Sequence, residues 1–252
     1  MTVVDIPAYL ERIAYSGATK RDSATLRAIH RAHLFTVPFE NLDIALGRKI
    51  VTDESKILNK IIARRRGGFC YELNGGFAAL LRELGFQVTL LSARVARPND
   101  SEGPEFDHLA LRINLEESWL VDVGFGESFL EPLHLEAETE QVDPAGTFRL
   151  VQDADRWHVQ RAEPDSGWKA QYSFSMQSRQ LEEFAAMCHY HQTSPESHFT
   201  QNSICSRATP EGRITLSGMK LIVTAHGQRK ERTLASQEEW TATLREEFGI
   251  RL

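Results

Sequence analysis

Apolar residues recur at helical spacing through the first third of the chain and then change to strand-like alternation. Asp5 can cap a helix over 7–14, with Tyr9, Leu10 and Ile13 on one side. Asp22 or Ser23 can cap a second, carrying Leu26, Ile29 and Leu34. Thr52 or Asp53 can cap a third, carrying Ile57, Leu58, Ile61 and Ile62. A fourth runs over 71–84, with Leu73, Phe77, Leu80, Leu81 and Leu84 on one stripe and Gly85 as its stop. From residue 87 the pattern predicts strands at 88–95, 108–114, 119–123, 147–152, 156–161 and 168–176. A helix over 181–191 follows, then strands near 213–217, 219–225 and 230–234. Ser236 caps a closing helix that ends at Phe248, and Glu239 lies where a capping box needs it. Helices first, strands next and a mixed tail describe an α+β protein, with pattern changes that divide it into 1–86, 87–178 and 179–252.

The junction before the fourth helix carries the clearest chemistry. Cys70 follows Gly67-Gly68-Phe69 and stands at or just before the helix start. Unpaired N–H groups there carry partial positive charge, which favours the thiolate, the nucleophilic form. The two glycines allow close backbone approach to a substrate. A lone cysteine in this position is ordinarily a buried structural residue, so the case depends on a base and its orienter. His108 and Asp122 supply them. The strands 108–114 and 119–123 flank a short polar turn and read as a hairpin. With Asn114 opposite Ser118, the residues Leu109, Leu111, Ile113, Trp119, Val121 and Val123 share one face. His108 and Asp122 share the other, as diagonal neighbours. A one-residue slip would split the apolar set, which fixes this parity.

The segment from Arg66 to Asn74 resembles the nucleophile signature of the arylamine N-acetyltransferases. Val37-Pro38-Phe39-Glu40-Asn41-Leu42, Asp107-His108-Leu109, Val121-Asp122-Val123-Gly124-Phe125-Gly126 and Ser194-Pro195-Glu196-Ser197-His198-Phe199 resemble further family segments, in the same order. The resemblance implies a Cys-His-Asp triad of Cys70, His108 and Asp122. It implies a helical bundle over 1–86 with the nucleophile, a β-barrel over 87–178 with His and Asp, and an α/β lid over 179–252, around a cysteine-protease-like catalytic core. Acetyl-CoA would be the donor and an arylamine, hydrazine or hydroxylamine the acceptor, in a ping-pong reaction with no metal. Phe39, Val95, Phe125 and Phe199 would line the acceptor pocket. Gly124-Phe125-Gly126 would border the coenzyme path. Arg66 would pair with Glu40 behind the nucleophile. The chain stops at Leu252, and a coenzyme cleft shaped without a longer tail is expected.

Composition narrows the remaining classes. The 252 residues are 41% hydrophobic, enough for a sizeable core. A net charge of -6 argues against a general nucleic-acid binder. No basic leader precedes an apolar stretch and no apolar run reaches membrane length, so a cytoplasmic protein without membrane contact is expected. Three widely spaced cysteines do not suggest a disulfide framework. Cys188 and His191 could share a helix face, but no second ligand pair accompanies them, and a surface helix end is the expectation. His30 and His33 have the same spacing and again no partner motif. Nothing fixes the oligomeric state, a homodimer included. A cysteine hydrolase or an amide synthase would use the same three residues. A catalytically dead binding module is the non-enzymatic alternative.

Overall fold

A computed structural model describes residues 4–98, 101–164 and 166–252. Asp5 accepts from the Ala8 amide and opens α1 (Ile6–Arg12), and Asp22 accepts from Thr25 to open α2 (Ser23–Thr36). The short β1 (Phe39–Glu40) and α3 (Leu42–Ala45) carry too few residues to show a period. Asp53 caps α4 (Glu54–Leu58), which relaxes into a π-turn over Asn59–Ala63. α5 (Cys70–Glu83) then ends before Gly85, whose φ of +86° suits glycine. The single apolar stripe expected on α5 understates its burial, because every residue from Cys70 to Leu81 is buried. Its other side carries small residues together with the buried polar Glu72 and Asn74. A Cβ on Gly76 would stand 2.7 Å from Ile61 Cδ1, so the glycine lets the α4 segment pack against the helix.

Eight strands form one antiparallel sheet: β2 (Gln87–Val95), β3 (His108–Asn114), β4 (Ser118–Val121), β5 (Leu133–His134), β6 (Gln141–Asp143), β7 (Gly146–Asp153), β8 (Arg156–Glu163) and β9 (Gly167–Arg179). Their order is β5-β4-β3-β2-β9-β8-β7-β6. The hairpin register is the one the parity required, with Asn114 opposite Ser118 and Leu111 opposite Val121. Leu109, Leu111, Ile113, Trp119, Val121 and Val123 join the helices in one core. The opposite face, with Ala110, Leu120, Phe148 and Phe174, fills a second core inside the curled sheet. The sheet is nearly a closed barrel. Its two edge strands are joined by side chains: Gln141 accepts from the His134 amide at 2.7 Å and donates to the His134 carbonyl at 3.0 Å. Asp143 accepts from the amides of Leu130 and Glu131.

A 3-10 turn over Leu181–Phe184 leads into α6 (Ala185–Thr193), and α7 (His198–Gln201) follows. A second sheet runs β1-β10-β11-β12-β13, adding β10 (Ile204–Thr209), β11 (Gly212–Ser217), β12 (Lys220–Ala225) and β13 (Gln228–Thr233). α8 (Gln237–Phe248) contributes Leu244 and Phe248 to a third core with Cys205 and Leu216. Ser236 caps α8, but the capping box is only half formed. The Glu239 carboxylate accepts from the Ala235 amide instead of from Ser236. Because β1 pairs with β10, the tail sheet reaches back to the loop that precedes Cys70.

Gln141→Ala removes the two Gln141 bonds across the barrel seam and leaves the His134 amide and carbonyl without them. It is expected to cost about 1–3 kcal/mol, read as a lower midpoint in denaturant. An unchanged midpoint would show that these two bonds carry no load.

Candidate active site

Cys70 is the first residue of α5, with its side chain 4% exposed. The glycines before it serve packing rather than substrate approach. A Cβ on Gly67 would stand 1.8 Å from the Pro38 carbonyl oxygen, and one on Gly68 would stand 2.6 Å from the Glu72 side chain. That space is already filled by protein, which corrects the reading from sequence. Gly124 does closely approach the nucleophile: its Cβ would fall 2.8 Å from Cys70 Cα. Burial pushes the Cys70 thiol well above its ordinary value, against a hydrogen bond from the Leu109 backbone. The helix end works in the other direction, but its effect is at most about 2 kcal/mol, or about 1.5 pKa units. Burial can shift a group by as much as 3–5 units. Burial thus favours the protonated thiol, and a base that takes the proton favours its ionisation.

His108 opens β3 and Asp122 follows β4, on the face that parity assigned to them. His108 Nε2 donates to Asp122 Oδ2 at 2.7 Å. Burial alone would raise the Asp122 carboxyl, but His108, Asn74 and the Gly124 amide outweigh it and hold it below its ordinary value. Asn74 is the residue that sequence reasoning quoted but did not use. It projects from α5, donates to Asp122 Oδ1 at 2.9 Å and to the Leu109 carbonyl at 2.6 Å, and accepts from the Val123 amide. His30, set aside for want of a partner motif, also braces the aspartate. Burial keeps it neutral, so Nδ1 donates to the Leu130 carbonyl while Nε2 accepts from the Asp122 amide. With Nε2 of His108 engaged, Nδ1 is the nitrogen left for proton transfer. No hydrogen bond joins Cys70 to His108 among the described residues in this resting form. Such contacts commonly tighten only with substrate bound.

Cys70 and His108 line one cavity of about 290 Å³ with Phe39, Val95, Phe125 and Phe199. Gly124 borders it, while Gly126 lies behind, 3.8 Å from the Phe39 ring by its Cβ position. The cavity also contains Asp107, His191 and His198. Cys188 and His191 are buried, so the expected surface helix end is incorrect. His191 turns inward to Asp107, and among the described residues no cluster suited to a metal occurs.

A model of the N-acetyltransferase family matches residues 22–252. The Escherichia coli (strain K12) arylamine N-acetyltransferase is 36% identical over 246 residues, covering 96% of this chain and 87% of its own. The Mycobacterium marinum arylamine N-acetyltransferase structure superposes with a TM-score of 0.91 at 32% identity, over 98% of this chain and 93% of that one. A structure of the Mycobacterium marinum enzyme in complex with CoA gives 0.89 at 32% identity, with the same coverage. The chain belongs to the arylamine N-acetyltransferase family.

In this acetyltransferase the nucleophile loop rests on a buried charge network. Arg66 pairs with Glu40 at 2.8 Å, as the resemblance implied, and also with Asp43 at 3.1 Å. Lys60 stands 2.8 Å from both Asp43 and Glu72. Arg48 Nη1 also stands 3.8 Å from Asp43, so two buried cations and one exposed cation face the three carboxylates. Lys60 faces all three acids and is held in its charged form, despite burial. Burial pushes Glu72 up to about 7 even beside Lys60. A carboxyl raised on folding stabilises the protein fully below its unfolded value of about 4.3. That contribution disappears as pH rises through the folded value of about 7. Wild-type stability should thus fall by on the order of 3 kcal/mol between about pH 4.5 and 8 from this group. Glu72→Gln should flatten that slope in thermal melts, and equal slopes in both proteins would refute the assignment.

Proposed function

We propose that this acetyltransferase carries an acetyl group from acetyl-CoA to an arylamine, arylhydrazine or N-hydroxyarylamine through a thioester on Cys70. The observation that carries this reading is the 2.7 Å bond from His108 Nε2 to Asp122 Oδ2 beside a cavity that also holds the helix-start thiol. His108 Nδ1 takes the thiol proton as Sγ attacks the acetyl carbonyl. The carbon–sulfur bond to the coenzyme breaks, and the proton leaves with the coenzyme sulfur. The amine then attacks acetyl-Cys70, His108 takes its proton, and that proton returns to Sγ as the amide forms. Asp122 fixes the tautomer and stabilises the imidazolium. Unpaired amides at the α5 start would hold the oxyanion.

The apolar rings of Phe39, Phe125 and Phe199 suit a flat aromatic acceptor. An adjoining groove of about 1070 Å³ carries Arg94, Arg97, Arg156 and Lys169 beside Glu102, Asp153 and Asp155, and its cations suit the phosphates of the donor. We read the chain as a helical bundle over 1–86, a barrel over 87–178 and an α/β lid over 179–252, with a cysteine-protease-like core at their junction. Three free cysteines support a reducing, cytoplasmic setting.

Mixing the enzyme with acetyl-CoA alone should add one acetyl group to Cys70, read by intact mass. No gain, or a gain that persists in Cys70→Ala, would refute the mechanism. Because burial raises the thiol, His108→Gln should slow iodoacetamide labelling at pH 7 by about 100-fold or more. Labelling should recover at high pH. Unchanged labelling at pH 7 would mean that His108 is not the base.

A further inference from the structure

The cavity has two unlike ends. Phe39, Val95 and Phe125 make one end apolar. The other is built from Asp107 and His191, with Tyr190, Glu196, Ser197 and His198 around them. Asp107 is 8% exposed and His191 4%. His191 Nε2 stands 3.0 Å from Asp107 Oδ1, yet the carboxylate lies off the N–H direction, and that ring nitrogen has no hydrogen-bonded partner. Nδ1 lies 3.3 Å from Ser197 Oγ. The ring also packs edge-on against Phe199, at 5.3 Å between centroids, and stacks on Tyr71. A buried nitrogen without a partner beside a buried carboxylate is a place for a ligand atom.

We propose that Asp107 and His191 form a polar subsite that selects acceptors whose far end donates a hydrogen bond and rejects acceptors that carry a carboxylate there. The proposal rests on the acyl-transfer reading above and names which acceptors that site prefers. A hydroxyl or amino group would donate to Asp107 and meet His191 Nε2. A carboxylate would face Asp107 and, at the rim, Glu196. Arg97 is the opposing cation in the lining, but it is exposed, and water and salt screen it more than the buried Asp107. Burial and the neighbouring His191 lower His198, so it adds no positive charge near neutrality. Tyr190 already donates to Glu196 at 3.3 Å. A like charge against a desolvated carboxylate is strongly unfavourable.

The test compares para-aminophenylethanol with para-aminophenylacetate, in which a methylene insulates the reacting amine from the substituent. Wild-type kcat/KM should favour the alcohol by about tenfold or more. Asp107→Asn should narrow that ratio to within about threefold. His191→Gln should lower kcat/KM for the alcohol by about fivefold, while plain aniline changes less than about twofold. A wild-type ratio near unity overturns the proposal. So does a ratio that Asp107→Asn leaves unchanged, or an equal loss for alcohol and aniline in His191→Gln, which would indicate packing alone. If Asp107→Asn does not fold, the wild-type ratio and His191→Gln still decide. Equilibrium titration of the two acceptors into unacetylated wild-type enzyme separates the two layers. Should Cys70 never become acetylated, acyl transfer fails, while the Kd ratio still reports on the polar subsite.

Discussion

The Asn74 carboxamide joins the two halves of the site, and the geometry of the triad depends on it. One side chain on α5 bonds the Asp122 carboxylate, the Leu109 carbonyl and the Val123 amide. It therefore ties the helix that presents the thiol to both strands that present the imidazole and its carboxylate. A buried amide that satisfies three backbone or carboxylate groups is costly to disturb, since each lost partner leaves a desolvated polar atom. The same bond sets a hard limit on Gly124. The chain after Asp122 must pass so close to Cys70 that a Cβ would meet Asn74 Nδ2 at 2.7 Å.

Burial of this joint has a chemical consequence. A solvent-exposed helix-start cysteine would ionise easily, but here desolvation raises the thiol and favours its protonated form. Reactivity is then conditional. In the proposed reaction the sulfur becomes a nucleophile only when its proton moves to the imidazole, which Asp122 stabilises. The same low-dielectric setting holds the support beneath it. Glu72 is pushed up by burial while Lys60 is kept charged by three acids, and Arg48 adds a third, exposed cation beside Asp43.

Legibility in the sequence followed locality. The hairpin parity was readable because both strands are short, the turn is short, and a slip would expose half of the apolar set. The caps at Asp5, Asp22, Asp53 and Ser236 were readable because a cap acts within a few residues. β5, β6 and β10 were missed because two or three residues show no period, and because Ile204–Thr209 mixes polar and apolar residues on a strand paired along both edges. Only the fold brings Asp43 and Glu72 to Lys60. Asp107 and His191 are 84 positions apart by number, and nothing local marks either as half of a pair.

The cavity and the triad are built from different parts, and this separates reactivity from selectivity. Cys70, His108, Asp122 and Asn74 come from α5 and the β3–β4 hairpin, where the helix-side core meets the barrel interior, and buried hydrogen bonds of Asn74 and Asp122 tie them together. The lining is drawn from farther apart: Phe39 from β1, Val95 from β2, His191 from α6 and Phe199 from α7. These elements meet the triad through ring contacts, such as Phe69 against Phe199 at 5.8 Å, and through Asn41, which donates to the Phe199 carbonyl at 2.9 Å. Packing contacts tolerate exchange of side chains far better than a satisfied polar network does. Substitutions on β1, α6 and α7 can therefore reshape the cavity while the Cys70, His108 and Asp122 geometry stays intact, so that in the proposed reaction the choice of acceptor is free to vary.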